Sequence, residues 1–168
     1  FALVVSAVPG ARLVVTGRVP PDTPSLLREL GLEASVELVG RYTQRDAPAL
    51  YQRAHLLLHT KVNDPCPNVV LEAMASGLPV VHPASGGTVE LVGPGGVGVP
   101  HRDDREHLVQ PSPEAMADAV RQALASREEL GVIARRRAVE SYALDGWLTR
   151  HEELFTEVLD RRARRPAT

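Results

Sequence analysis

Residues 61–81 read KVNDPCPNVVLEAMASGLPVV. Polar residues broken by Pro65 and Pro67 give way to an apolar stretch at helical spacing, and after Gly77 the chain turns into Leu-Pro-Val-Val. This is the pattern of a strand end, a Pro-rich loop, a short helix over 67–77 and the entry to a next strand. In an open parallel sheet, ligands collect at the carboxyl ends of strands, which is where such a loop falls. Pro67 suits the first helical position because its missing N–H costs nothing there. The amides of Asn68, Val69 and Val70 then lie unpaired in the first turn, at the positive end of the helix dipole. Such a turn is a place for an anion or for sugar hydroxyls.

Asp64 and Glu72 flank that turn, the first in the loop and the second in the helix. A rise of about 1.5 Å per residue sets Glu72 about 8 Å along the axis from the helix start, so the two carboxylates can bracket an elongated ligand through separate hydroxyl contacts. The spacing alone leaves a plainer arrangement open, in which Asp64 caps the helix and Glu72 is a solvated acid.

Outward from this block, short apolar runs rich in β-branched residues alternate with helical patterns. Strands are expected at 12–16, 36–39, 55–59, 79–82 and 97–99, and helices at 23–31, 46–53, 67–77 and 86–92. Near-continuous apolar runs suit strands covered on both faces, and the alternation calls for a parallel sheet with right-handed crossovers. Leu26, Leu27 and Leu30 precede Gly31, which suits a helix C-terminus. The stretch 92–100 reads as a turn into a short strand. After Val99 the pattern becomes helical, over 113–127, 128–142 and 146–161. Phe1 to Val8 reads as the end of a helix, and the chain is expected to be a fragment.

The 168 residues are 43% hydrophobic and 24% charged, which suits one globular domain spanning 1–168. A net charge of −2, with arginines scattered along the chain, offers no basic face for nucleic acid. The expected partner is a small molecule. One cysteine, Cys66, permits neither an internal disulfide nor a cysteine zinc cluster, and no apolar run is long enough to span a membrane, so a cytoplasmic location is expected. His55 and His59 stand four apart in a strand-like run, about 13 Å from each other, which is no metal pair. His82, His101 and His107 have no partner pattern and read as core or surface residues. Lys61, the only lysine, reads either as a phosphate contact or as an exposed charge. Ser85, Gly86 and Gly87 follow a strand, where glycine permits close approach to a ligand or simply makes a turn.

The Asp64-x7-Glu72 spacing, followed by Ala73-Met74-Ala75-Ser76-Gly77-Leu78-Pro79-Val80-Val81 and then Ser85-Gly86-Gly87 and Glu90, resembles the C-terminal domain of retaining group 1 glycosyltransferases of the GT-B fold. LVVTG at 13–17 and VELVGRY at 36–42 are similar to two nucleotide-side strands and loops of that family, and the resemblance covers residues 5–142. It implies an α/β domain with a Rossmann-like parallel sheet flanked by helices, a helical C-terminus, and a nucleotide-sugar donor such as a UDP-, GDP- or ADP-sugar. It also implies that Glu72 holds the ribose hydroxyls and that Asp64, as the catalytic acid, faces the transferred sugar. Pro67, Asn68, Val69 and Val70 would line the donor's sugar or phosphate, and the loops at Gly17 and Arg41 would lie near phosphate and base. Arg41 is equally readable as a surface charge. Neither metal nor other cofactor is implied.

The chain departs from the family pattern in three ways. The first acid is Asp64 rather than Glu, Pro67 stands where a glycine is usual, and the sequence starts after the strand and loop whose Arg and Lys neutralise the diphosphate. The acceptor-binding N-terminal domain is missing too, so weak donor binding and no turnover by the chain alone are expected. Arg161 to Arg165 either touch anionic lipid, a peripheral membrane contact of the full-length enzyme, or complement the dipole of a last helix. Two other functions fit the same fold: a sugar-nucleotide epimerase and a non-catalytic binding or scaffold module.

Overall fold

The computed structural model describes residues 1–102 and 109–163, so His107, Arg164 and Arg165 lie outside the described residues. Helix α1 (Ala2–Ala7) leads to β1 (Leu13–Thr16), α2 (Thr23–Glu29), β2 (Val36–Gly40), α3 (Ala47–Gln52), β3 (Leu57–Leu58) and α4 (Asn68–Ala75). Next come β4 (Val80–Pro83), α5 (Thr88–Val92), a 3-10 turn at Gly93–Gly95, β5 (Gly96–Val99), α6 (Pro113–Ala125), α7 (Arg127–Tyr142) and α8 (Leu144–Ala163). The expected alternation holds, as do the helix end at the start of the chain and the three helices at its C-terminal end. Every strand pairing is parallel.

The strands do not form one sheet. Two hydrogen-bonded ladders are present, β1-β2 and β3-β4-β5, and no described strand joins β1 to β3. The expected parallel sheet flanked by helices is present, with its strands divided between these two ladders. The two ladders differ in cover. Val80 and Val81 of central β4 are fully buried, whereas Val14 in β1 and Leu38 in β2 are each 37% exposed. A parallel ladder is normally buried on both faces, and β4 alone meets that condition.

Successive side chains of a strand point to opposite faces, and β4 distributes its two valines that way. Val80 joins Val70 and Met74 of α4, Val92, and Ala134 and Ala138 of α7. Val81 joins Val4 of α1, Val99 of β5, and Ala117, Val120 and Ala123 of α6. The strand is thus clamped between two helical layers. Gly131 of α7 lies so close to the C-terminal end of α4 that a β-carbon on it would stand 2.4 Å from the Gly77 carbonyl oxygen.

Helix α8 is different. Trp147, Leu148, Leu154, Phe155, Val158 and Leu159 are all exposed along it. No helix among the described residues is long and apolar enough to cross a membrane.

Candidate functional site

The loop between β3 and α4 is held from behind by the loop after β4. Asn63 takes a left-handed conformation (φ 55°), and its amide donates to Ser85 Oγ at 3.0 Å. The Asp64 carbonyl accepts from the Gly87 amide at 3.0 Å and from Thr88 Oγ1 at 3.4 Å. A β-carbon on Gly87 would fall 1.9 Å from the Pro65 carbonyl oxygen, and one on Gly86 would fall 2.6 Å from that of Asp64. The close approach these glycines allow is to the chain's own acidic loop.

So fixed, Asp64 turns its carboxylate toward two basic side chains. Its Oδ2 lies 3.4 Å from Lys61 Nζ and 3.5 Å from His59 Nε2, with the Asp64 side chain 13% exposed. Lys61 is thus a surface charge paired with Asp64. His59 is buried, and its Nε2, although within ion-pair reach of Asp64, is not aligned for a hydrogen bond. Burial holds the His59 pKa below its ordinary value, and the Asp64 charge opposes that shift. His82 is also kept low by burial; its Nδ1 lies 2.8 Å from the Pro83 carbonyl, an acceptor only, so Nδ1 carries the proton. His55 is exposed and stands apart from this group.

Helix α4 starts one residue later than expected. Pro67 is its cap, in an extended conformation with no side-chain cap bond, so Asp64 does not cap the helix. The Pro67 carbonyl accepts from Val70 N at 3.1 Å and from Leu71 N at 3.4 Å. This corrects the expectation of three free amides: Val70's is used, and its side chain is wholly buried in the core. The amides of Asn68 and Val69, both exposed residues, are the two in the first turn without an intrahelical acceptor.

Glu72 is no solvated acid. It is half-buried in the second turn of α4, and its Oε2 accepts from the Tyr51 phenol at 2.8 Å. Tyr51 comes from α3, and its pKa is driven upward by burial, then by the Glu72 hydrogen bond, then by the nearby Tyr42 phenol. Tyr42 is the second residue past β2 and the neighbour of exposed Arg41. The two phenols therefore bring the carboxyl end of the first ladder near α4, the helix between β3 and β4. Gly17, at the carboxyl end of β1, spends its amide on the Gly40 carbonyl at 2.6 Å and has open space where a side chain would be.

The structure thus groups Asp64 with His59 and Lys61, and Glu72 with Tyr51 and Tyr42, on either side of the start of α4. No described contact ties Arg41 or Gly17 directly to either acid. Sequence reasoning missed Tyr51 and Tyr42, and it placed His59 on a strand without its tie to Asp64. The available signal was chemical: a tyrosine on a short amphipathic helix needs a partner for its hydroxyl once its ring is buried.

Three comparisons bear on this arrangement. The family description "Glycosyl transferases group 1" matches residues 1–126. The D-inositol 3-phosphate glycosyltransferase of Corynebacterium aurimucosum is 38% identical over 80 residues, covering 47% of this chain and 19% of that protein. The sucrose-phosphate synthase of Thermosynechococcus elongatus superposes with a TM-score of 0.77 at 23% identity, over 95% of this chain and 41% of that one. The Anabaena HepE protein, solved in complex with UDP-glucose, gives a TM-score of 0.72 at 22% identity, over 92% of this chain and 44% of that one. The chain spans less than half of each of these relatives.

Proposed function

Since the chain belongs to the group 1 glycosyltransferases and has the fold of the C-terminal half of a GT-B enzyme, we propose that it binds a nucleoside-diphosphate sugar for transfer, with retention, to an acceptor. The observation that carries this reading is the pair of acids at α4: neither Asp64 nor Glu72 caps the helix, and each is held in place by side chains from elsewhere in the fold.

In this reading Glu72 accepts from the vicinal hydroxyls of the ribose, for which a carboxylate oxygen is the natural partner. The Asn68 and Val69 amides, backed by the helix dipole, face a phosphate or sugar oxygen. Pro67 sets the start of that turn, and the buried Val70 side chain anchors it in the core. The loops after Gly17 and Gly40 flank phosphate and base, with Arg41 as the available cation. Asp64 faces the transferred sugar, and Lys61 beside it steadies its charge.

As transfer proceeds, the bond between the anomeric carbon and the phosphate oxygen breaks, a bond to the acceptor oxygen forms on the same face, and the acceptor proton passes to the departing phosphate. The catalytic contribution of such a site is positional and electrostatic. No cofactor beyond the donor enters this reading, and the acceptor is assigned to an N-terminal domain. UDP-glucose in the related HepE structure supports a nucleotide-sugar donor.

The test is a thermal-shift panel of UDP, GDP, ADP and their sugar forms at high millimolar concentration, on the native chain and on Glu72→Ala. A ligand at 100 times its dissociation constant adds about 2.7 kcal/mol. A shift with one base that disappears in the variant is the expected result. A shift that survives in Glu72→Ala, or none with any nucleotide, overturns the assignment.

A further inference from the structure

We propose that Tyr51 is a positioning residue that presents the Glu72 carboxylate to a ribose diol; the proposal rests on the donor-binding reading above and names the residue that makes that contact selective. Glu72 sits on α4 and Tyr51 on α3, and a 2.8 Å hydrogen bond from the Tyr51 hydroxyl to Glu72 Oε2 is the side-chain bond that fixes this acid. A glutamate on a helix has three rotatable side-chain bonds, and ordering them at the moment of binding costs affinity. Tying Oε2 to a rigid phenol meets that cost during folding and leaves Oε1 to accept from a ligand.

The phenol is suited to this task. Its ring is half-buried, its hydroxyl also lies 3.5 Å from the Val69 carbonyl in the first turn of α4, and the Tyr42 phenol stands next to it. Burial and the Glu72 carboxylate together keep the proton on Tyr51, so it remains a donor throughout the range in which proteins are stable. Tyr42 adjoins Arg41, so the same pair connects the loop assigned to the base with the acid assigned to the ribose. A change at Tyr42 should therefore reach Glu72 through Tyr51.

The experiment measures binding of UDP, GDP and ADP, each beside its 2′,3′-dideoxy counterpart, to the native chain and to Tyr51→Phe, Glu72→Ala and the double variant. The native chain should prefer the ribonucleotide. Tyr51→Phe should weaken ribonucleotide binding about tenfold, the worth of one hydrogen bond to a charged acceptor, and leave the dideoxy form unchanged. In the Glu72→Ala background the Tyr51 change should have no further effect.

Equal losses for both nucleotide forms would make Tyr51 merely structural and overturn the proposal. An intact ribose preference in Tyr51→Phe would overturn it as well, while leaving Glu72 as the ribose residue. A ribose preference that persists in Glu72→Ala, or no nucleotide binding by the native chain, would remove the donor-site reading and this proposal together. Should Tyr51→Phe fail to fold, Tyr42→Phe reads the same relay from one residue further out, with a smaller loss confined to the ribonucleotide expected and an equal loss for both forms overturning the proposal.

Discussion

Gly87 and Pro65 touch backbone to backbone: a β-carbon added to Gly87 would lie 1.9 Å from the Pro65 carbonyl oxygen. The contact has no slack on either side, since the Gly87 amide already donates to the Asp64 carbonyl at 3.0 Å. The acidic loop is therefore placed by the turn after β4, and the position of Asp64 depends on a residue 23 further along the chain.

Gly87→Ala should push the 63–66 loop off this turn. Overpacking of this kind costs about 1 to 3 kcal/mol, and a loss of that size lowers the melting temperature of a chain this long by about 2 to 4 °C per kcal/mol. Nucleotide-sugar binding should fall with it, because Asp64 moves with the loop. Calorimetry and donor titration on the variant check both effects, and a variant as stable as the native chain would contradict the contact.

Acid should destabilise the fold through its buried histidines. His59 and His82 are both held below their ordinary value of 6.5, mainly by burial. As pH falls beneath 6.5 the unfolded chain takes up these protons before the folded one does, so this contribution to stability is complete above that value and is lost toward the lower folded-state values. Melting temperatures measured from about pH 7.5 down to about pH 5 should therefore decline, and His82→Gln should flatten the slope. A slope unchanged in that variant would remove His82 from the account.

Met74 is wholly buried where α4 meets α7 and β4. Met74→Ala should cost about 2 to 5 kcal/mol, the usual range for a cavity of that size. Leu144→Ala, at a residue 67% exposed, should stay within about 0.5 kcal/mol. Denaturant midpoints of the two variants give the comparison directly.

Trp147 is the sole tryptophan, is 48% exposed, and stacks on His151 with ring centroids 3.7 Å apart. Its fluorescence in dilute solution should peak near that of free indole and be quenched readily by iodide. A blue-shifted, iodide-protected emission would mean that the apolar side of α8 is covered in solution.

Much of the layout was readable from local patterns. The run 61–81 announces a loop, a short helix and a strand, and its two acids stand where helix geometry puts them, before and within α4. Alternating apolar runs and helical spacings predict parallel strands with crossover helices, because both periodicities arise from backbone geometry within a few residues. Even here the ends shifted: Pro67 became the cap because its extended backbone precedes the first turn, and the Val70 amide was taken up by the Pro67 carbonyl.

The sequence by itself determined element types, their order, and the presence of two carboxylates around the start of one helix whose first turn offers free amides. The tertiary structure alone decided that the strands form two ladders, that Gly87 serves the acidic loop, that His59 and Lys61 face Asp64, and that Tyr51 holds Glu72. The reason is separation along the chain. Helix and strand preferences act over a turn or two, whereas Tyr51 and Glu72 are 21 residues apart and Asn63 and Ser85 are 22. Tyr51 and Glu72 meet only where α3 comes beside α4, and Asn63 and Ser85 only because the pairing of β3 with β4 sets the loops after those strands side by side.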